Sequence, residues 1–343
     1  MELTSATEIL GRSVKTMRGL KDRRWRAAMA LVIALLTCWR GVSGAAAASE
    51  TLSSPAKRIT HVRPELKFSS APADLEFLYT GLFAEPLAPV AATTAQENTE
   101  LAKAVLAYRD AIRGAGATDA VASLLTFLEK HPNSPWKPAL QLNLGLIYRS
   151  TGHFSQALEV WQTAWDDAKD LSDGKGLALA NAIVARLSQL EAYLGRQELL
   201  TPLLASLQDR PIGGTATQLI ADSHEGLYDM VYHPEESFRC GPMALMRILQ
   251  HSGREPSPLA MRVLQYESPS TYHGLSLTSV KAIAERAGMH YQAAFRTPGA
   301  PVLMPAVANW KVGHYAAIVD RGSDGRYLVQ DSKRLGLTVL TAR

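Results

Sequence analysis

Residues 233–250 read HPEESFRCGPMALMRILQ and place one cysteine, Cys240, directly before a Gly-Pro pair and an apolar helix. Pro242 suits the first turn of a helix, and the apolar residues from Leu245 to Leu249 recur at helical spacing, so the helix should begin beside the sulfur. Backbone N–H groups and the positive end of the helix dipole would then face the thiol and favour its thiolate form. The stretch therefore predicts a reactive cysteine, against the alternative of a small, inert, buried one.

A predicted β-hairpin near the C-terminus contains partners for such a cysteine. HYAAIVD and RYLVQD both alternate apolar and polar residues, and RGSDG between them is typical of a turn. With a loop from Arg321 to Asp324, His314 stands directly opposite Asp331, with Cβ atoms about 5 Å apart on one sheet face. A loop one residue longer turns Asp331 to the other face, so the pairing depends on loop length.

Cys240, His314 and Asp331 form the candidate catalytic set. Acyl transfer needs a thiolate that attacks a carbonyl, a base that takes and returns the proton, and an acid that orients the base. We assign these roles to the three residues in that order. Each also has a structural alternative, because a strand histidine is commonly a surface or core residue and an aspartate before Ser-Lys commonly forms a turn.

Between the cysteine helix and the hairpin, the sequence predicts one helix and two strands. Ser276 suits a helix N-cap, and Gly288 suits the end of the same helix. MHYQAAF (289–295) and PVLMPAVANW (301–310) are both typical of strands.

A helical-hairpin array precedes this part of the chain. Residues 97–210 follow a pattern of helix, glycine turn and helix, clearest in ALQLNLGLIYRSTGHFSQALEVWQTAWDDAK around Gly152. This pattern resembles the tetratricopeptide repeat, and Gly116 and Gly195 mark looser copies on either side. Such an array is a scaffold, and its concave face can also bind a peptide or a partner protein.

The first 48 residues predict an export signal or a membrane anchor. A basic lead ending in KDRRWR precedes the apolar run at 27–39, which is short for a bilayer span, and small residues surround a cleavage region at 46–48. Cleavage gives a periplasmic or extracellular protein, whereas retention tethers it to the membrane through residues 27–39. Loss of Cys38 with the signal leaves one cysteine and no intramolecular disulfide. Residues 49–96 predict a Pro-rich linker segment.

The composition of the chain limits the classes of protein to which it can belong. The 343-residue chain is long enough for two domains, with 47% hydrophobic and 20% charged residues, as in ordinary globular proteins. Its formal net charge of +4 is small, so nucleic-acid binding is not expected. His273, His290 and His314 lack metal-ligand spacing, and we expect neither a metal nor another cofactor.

Four motifs in the last third resemble family C39, the bacteriocin-processing cysteine peptidases, whose fold is papain-like. The motifs are RCGPMALMRIL, HGLSLTSVKAIAERAG, LMPAVANWKVGHYAAIVD and YLVQDS, in that order. The resemblance implies an α+β domain at residues 218–343, with a helix packed on an antiparallel sheet. It also implies hydrolysis of a peptide bond in a polypeptide, with Cys240, His314 and Asp331 as nucleophile, base and orienting acid.

The chain departs from the family in three ways. Family members often precede ABC exporters and cut leader peptides after Gly-Gly, but this chain has no GxxxxGK[ST] motif and no bundle of transmembrane helices, as in a stand-alone or differently fused relative. The family's oxyanion glutamine corresponds here to Pro234, which has no N–H to donate, although the Cys240 N–H would remain. The short stretch after Asp331 indicates either a missing last sheet element or the front part of a longer protein.

Two other functions stay open. A catalytically weak C39-like module could bind peptides for secretion or assembly on the repeat array, which Pro234 and the short stretch after Asp331 favour. A third interpretation is an exported repeat scaffold whose second domain is only a folding partner.

Overall fold

The computed structural model describes residues 66–114, 119–253, 255–297, 299–323, 325–331 and 338–341. These residues belong to one compact unit, Pro64–Arg343. The predicted signal or anchor at 1–48 and the predicted turn at Gly116 lie outside the described residues. Within the described ranges, no helix combines the length and apolar character that a membrane span requires.

Helices make up the first part of the described chain, and successive helices pack on one another. They are α1 (Asp74–Leu78), α2 (Ala95–Gly114), a 3-10 helix (Asp119–Val121), α3 (Ala122–Lys130), α4 (Lys137–Ser150), α5 (Phe154–Ala168), α6 (Gly174–Leu194), α7 (Gln197–Ala205) and α8 (Thr215–Tyr232). Helix α2 packs on α3, α4 on α5 and α6 on α7, and α8 packs on α6. Gly152 and Gly195, at the turns of the second and third pairs, have left-handed backbones with φ of 80° and 76°. The helix-rich prediction is confirmed, whereas membership of the tetratricopeptide class stays a prediction.

The second helix pair shows why glycine and tryptophan occur where they do. A Cβ on Gly145 would lie 2.1 Å from Trp161 Nε1, so only a residue without a side chain lets α4 and α5 come this close. The Trp161 indole is fully buried, and its N–H donates to the Leu142 carbonyl at 3.0 Å. A small residue on one helix thus makes room for a large residue on the other.

The irregular segment before α2 packs across the array. Asn143 on α4 clamps the backbone of Glu85, accepting from its N–H and donating to its carbonyl, both at 3.0 Å. The Glu85 carboxylate also pairs with Arg186 on α6 at 3.1 Å, and Leu87 is fully buried. Phe83 stacks on Tyr108 of α2 at 5.4 Å. The chain itself therefore covers this part of the surface formed by α2, α4 and α6.

The C-terminal part combines short helices with a small antiparallel sheet. Its elements are α9 (Pro234–Ser237), α10 (Cys240–His251), α11 (Pro258–Gln265), α12 (Leu277–Arg286), β1 (Ala306–Trp310), β2 (His314–Arg321), β3 (Tyr327–Asp331) and β4 (Thr338–Thr341). The strands pair in the order β1-β2-β3-β4. Apolar residues of α10, including Leu245 and Ile248, pack against Tyr315, Ala317 and Val319 of β2. The predicted class, helices followed by a helix packed on an antiparallel sheet, is confirmed at this level.

One prediction about the strands is wrong. Residues 289–297 form no strand, because among the described strands β1 pairs with β2 alone and leaves MHYQAAF without a partner. The side chains from Gln292 to Phe295 are exposed. After Asp331 the chain adds a further strand, since β4 pairs with β3.

The predicted limits of the helix before the sheet are confirmed. Ser276 caps α12 by accepting from the backbone N–H of Ser279 at 3.1 Å. Gly288 follows the helix with a left-handed backbone, φ 76°.

Candidate active site

Helix α10 begins at Cys240, as the Gly-Pro pair predicts. Arg239 fixes the start of the helix, because its Nη2 donates to the carbonyls of Leu264 and Gln265, both at 2.5 Å. A Cβ on Gly241 would lie 2.5 Å from a methyl group of Val280, so glycine lets α10 approach α12. The partly buried thiol is thereby held at the first turn, where backbone N–H groups point out of the helix.

The hairpin between β2 and β3 forms with a longer loop than the sequence predicts. Arg321 pairs with Tyr327, so residues 322–326 make up the loop. A regular ladder continued from that pair would place Asp331 opposite Ala317, on the sheet face that packs against α10. The longer loop alone would therefore turn the aspartate away from the histidine.

A β-bulge at Val319 returns Asp331 to the sheet face that carries His314. The register shifts on either side of Val319, which becomes an extra residue of β2. Beyond the bulge, Asp331 stands opposite Ala316, and His314, two residues along β2, shares its face. The predicted direct opposition of His314 and Asp331 is thus wrong. The two residues are diagonal neighbours on one face, which is still within reach of long side chains.

The three predicted residues come together at the end of β2. His314 Nε2 donates to Asp331 Oδ2 at 2.9 Å, and the two side chains are only 1% and 5% exposed. A second hydrogen bond joins His314 to Cys240. Because Nε2 is taken by Asp331, Nδ1 is the ring nitrogen left to meet the sulfur.

The surroundings of His314 favour its protonated form. Burial lowers the pKa of His314, but the hydrogen bonds to Asp331 and Cys240, together with the charges of both groups, raise the pKa to about 9. Burial and the charge of Cys240 also raise the pKa of Tyr315, the next residue of β2. At neutral pH the site thus favours an imidazolium at His314, beside the Cys240 sulfur.

Two aromatic residues of the helical array also contact His314. The ring of Tyr193, at the end of α6, lies 5.3 Å from the imidazole centroid, and Phe154, at the start of α5, lies 6.4 Å away. Sequence reasoning missed both residues. Each lies far from the cysteine motif in the chain, and only tertiary packing brings it to His314.

The surroundings of Pro234 offer limited replacements for the oxyanion donor. Pro234 is the first residue of the short helix α9, and no N–H is available there. His233 is exposed, with Nδ1 3.8 Å from the Glu235 carboxylate. The donor that the local backbone supplies is the N–H of Cys240, in the first turn of α10.

Comparisons with protein-family models, with curated proteins and with solved structures found no match. Any assignment of class therefore depends on the geometry of the site itself.

Proposed function

We propose that the protein is a cysteine peptidase of the C39 type, with Cys240 as nucleophile, His314 as general acid and base, and Asp331 as orienting acid. One observation carries the proposal: the His314 imidazole is hydrogen-bonded to Asp331 on one side and to Cys240 on the other. A structural histidine needs no thiol at a helix start as a partner, whereas nucleophilic catalysis by cysteine does.

The reaction follows from these contacts. The Cys240 thiolate attacks the carbonyl carbon of a peptide bond, and a C–S bond forms. The His314 imidazolium gives its Nδ1 proton to the departing amine as the C–N bond breaks, which leaves a thioester. Water then attacks the thioester while His314 takes its proton, and the thiolate departs. Asp331 holds the ring in line through both proton transfers.

The mechanism offers little stabilisation of the negative charge that develops on the carbonyl oxygen. The start of α10 directs backbone N–H groups and the positive end of its dipole toward that oxygen, with the Cys240 N–H as the first donor. A missing second donor, as Pro234 implies, typically costs about 10²–10³ in turnover. We therefore expect a slow peptidase.

The proposed substrate is a polypeptide outside the cytoplasm. The N-terminal 48 residues support export or membrane tethering, through their basic lead, apolar run and small-residue cleavage region. The helical array supports contact with a protein partner beside the site, as repeat arrays commonly do.

Peptide cleavage by the full chain tests the proposal. A pool of peptides from a digested carrier protein would be incubated with the protein, and new peptide ends would be read by mass spectrometry. We expect new ends with the native chain and none with Cys240→Ala or His314→Ala. Identical products from native chain and Cys240→Ala, or no products between pH 5 and 9, would refute the proposal.

The second candidate is a peptide-binding module related to these peptidases, which Pro234 favours. It predicts that the native chain and Cys240→Ala retain the same peptides without cutting them. Retention without cleavage by the native chain would therefore favour this second candidate.

A further inference from the structure

We propose that Phe154 and Tyr193, both from the helical array, are positioning residues that hold the His314 imidazole in line with Cys240. The inference rests on the proposed function in assigning His314 a catalytic role. It makes the active site a product of both parts of the chain, incomplete without the array.

The three rings form one contacting group. The planes of Phe154 and His314 meet at 81°, edge to face, and those of Tyr193 and His314 at 44°. Phe154 and Tyr193 contact each other at 6.0 Å with their planes at 61°. Centroid distances of about 4.5–7 Å are those at which aromatic rings attract one another.

The burial of His314 comes from the array. His314 is the first residue of β2, and the residues just before it, Lys311 and Gly313, are exposed. Val312, between them, packs against the hydrophobic core of the array. The imidazole is nonetheless 1% exposed. The array therefore docks at the end of β2 where the base lies.

A second contact fixes the array beside the cysteine helix. Phe238, two residues before Cys240, is buried in the array core. A Cβ on Gly195, two residues after Tyr193, would lie 2.7 Å from the Phe238 ring. The turn that carries Tyr193 is thus packed directly against the segment that carries the nucleophile.

Asp331 alone leaves the imidazole able to rotate. It holds one ring nitrogen, and rotation about that hydrogen bond would carry Nδ1 away from the sulfur. The rings of Phe154 and Tyr193, which contact the imidazole, oppose this rotation and help to exclude water from it, which strengthens the remaining hydrogen bonds. Aromatic faces also attract a positive charge within about 6 Å, which favours the imidazolium. Tyr193, at 5.3 Å, meets that limit.

The groups that can alter the charge on His314 lie on three elements. Asp331 faces it from β3, Cys240 from α10, and the phenol-bearing ring of Tyr193 from α6. Asp331 and Cys240 are unchanged in variants of Phe154 and Tyr193. A changed pH dependence of Cys240 alkylation in these variants therefore reports the position of the His314 imidazole.

Alkylation of Cys240 in the full chain tests the inference. Iodoacetamide labelling would be followed on the Cys240 peptide by mass spectrometry, and the rate at pH 6 would be divided by the rate at pH 9. This ratio cancels changes in access to the sulfur. We expect it to fall roughly tenfold in Tyr193→Ala and in Phe154→Ala, as loss of contacts to a desolvated cation implies, and to stay at the native value in Tyr193→Phe.

Tyr108→Ala is the control, because Tyr108 is a buried ring of the array that contacts Phe83. We expect it to lower stability while keeping the native ratio. Native ratios in both Tyr193→Ala and Phe154→Ala, or an equal fall in Tyr108→Ala, would overturn the inference. The labelling uses no peptide, so a chain that cuts nothing but shows these ratios would refute the peptidase and keep the positioning role.

Discussion

The hydrogen bond from His314 to Asp331 should set the pH range of the proposed reaction. The hydrogen bond and negative charge of Asp331 are main causes of the raised pKa of His314, about 9. In Asp331→Asn the charge is lost, so the pKa should fall toward its ordinary value. We expect the alkaline limb of kcat/KM for peptide cleavage to lie near pH 9 in the native chain and at lower pH in Asp331→Asn.

Asp331→Asn should also change how the stability of the fold depends on pH. Because the folded pKa of His314 is raised above its ordinary value of 6.5, protonation stabilises the fold below pH 6.5, and this contribution is lost as pH rises through about 9. Melting temperatures should therefore fall between pH 6.5 and 9 more in the native chain than in Asp331→Asn. An alkaline limb and a melting profile unchanged by the substitution would remove Asp331 from its assigned role.

The sequence identifies the three candidate site residues, but it does not predict their geometry. Cys240 is visible because a Gly-Pro pair marks the helix start, and His314 and Asp331 because both lie at strand ends. Their register is not visible, because the bulge at Val319 depends on how β2 packs against α10. Tyr193 has no local signal, since its role depends on a contact between distant parts of the chain.

At the scale of single elements, the close approach of α4 and α5 makes Gly145 a sensitive position. In Gly145→Ala the new methyl group would overlap the Trp161 indole, and the helices must separate. We expect a loss of about 1–3 kcal/mol in the free energy of unfolding, measured by urea titration.

Gly174→Ala is the control for this prediction. Gly174 begins α6 with nothing within 4 Å of the added Cβ. There the substitution should be neutral or stabilise by up to about 1 kcal/mol, because it reduces the freedom of the unfolded chain. Equal losses at the two positions would contradict the packing argument.

Helices were predictable where local signals agree, and strands only where a partner exists. Ser276 and Gly288 define α12 through a cap and a left-handed stop, both of which are local. MHYQAAF has a strand pattern, but in the described part of the chain β1 bonds to β2 alone, so MHYQAAF has no strand to pair with. Pairing partners are set by the whole sheet and cannot be read from one segment.

At the scale of the whole molecule, the contact between Gly195 and Phe238 couples the array to the cysteine helix. Gly195→Ala introduces a side chain at φ 76° and overlaps the Phe238 ring. We expect both a lower melting temperature and slower alkylation of Cys240 at pH 6, because the segment that precedes Cys240 must shift.

Gly253→Ala is the control that separates backbone strain from overlap with a neighbouring side chain. Gly253 has a similar φ of 68°, but nothing lies within 4 Å of its added Cβ. It should lose about 1–2 kcal/mol from backbone strain alone and keep native alkylation. If Gly195→Ala also kept the native alkylation rate, the contact between Gly195 and Phe238 would have no effect on Cys240.

The bulge at Val319 also lies between the turn of the β2–β3 hairpin and the residues His314 and Asp331 at its open end. The ladder on the far side of the bulge, where Asp331 pairs with Ala316, fixes the place of Asp331 at the opposite end of β3 from the turn. An epitope or a fluorescent tag could therefore be grafted into that turn as a handle for purification or imaging, without retuning the reaction centre.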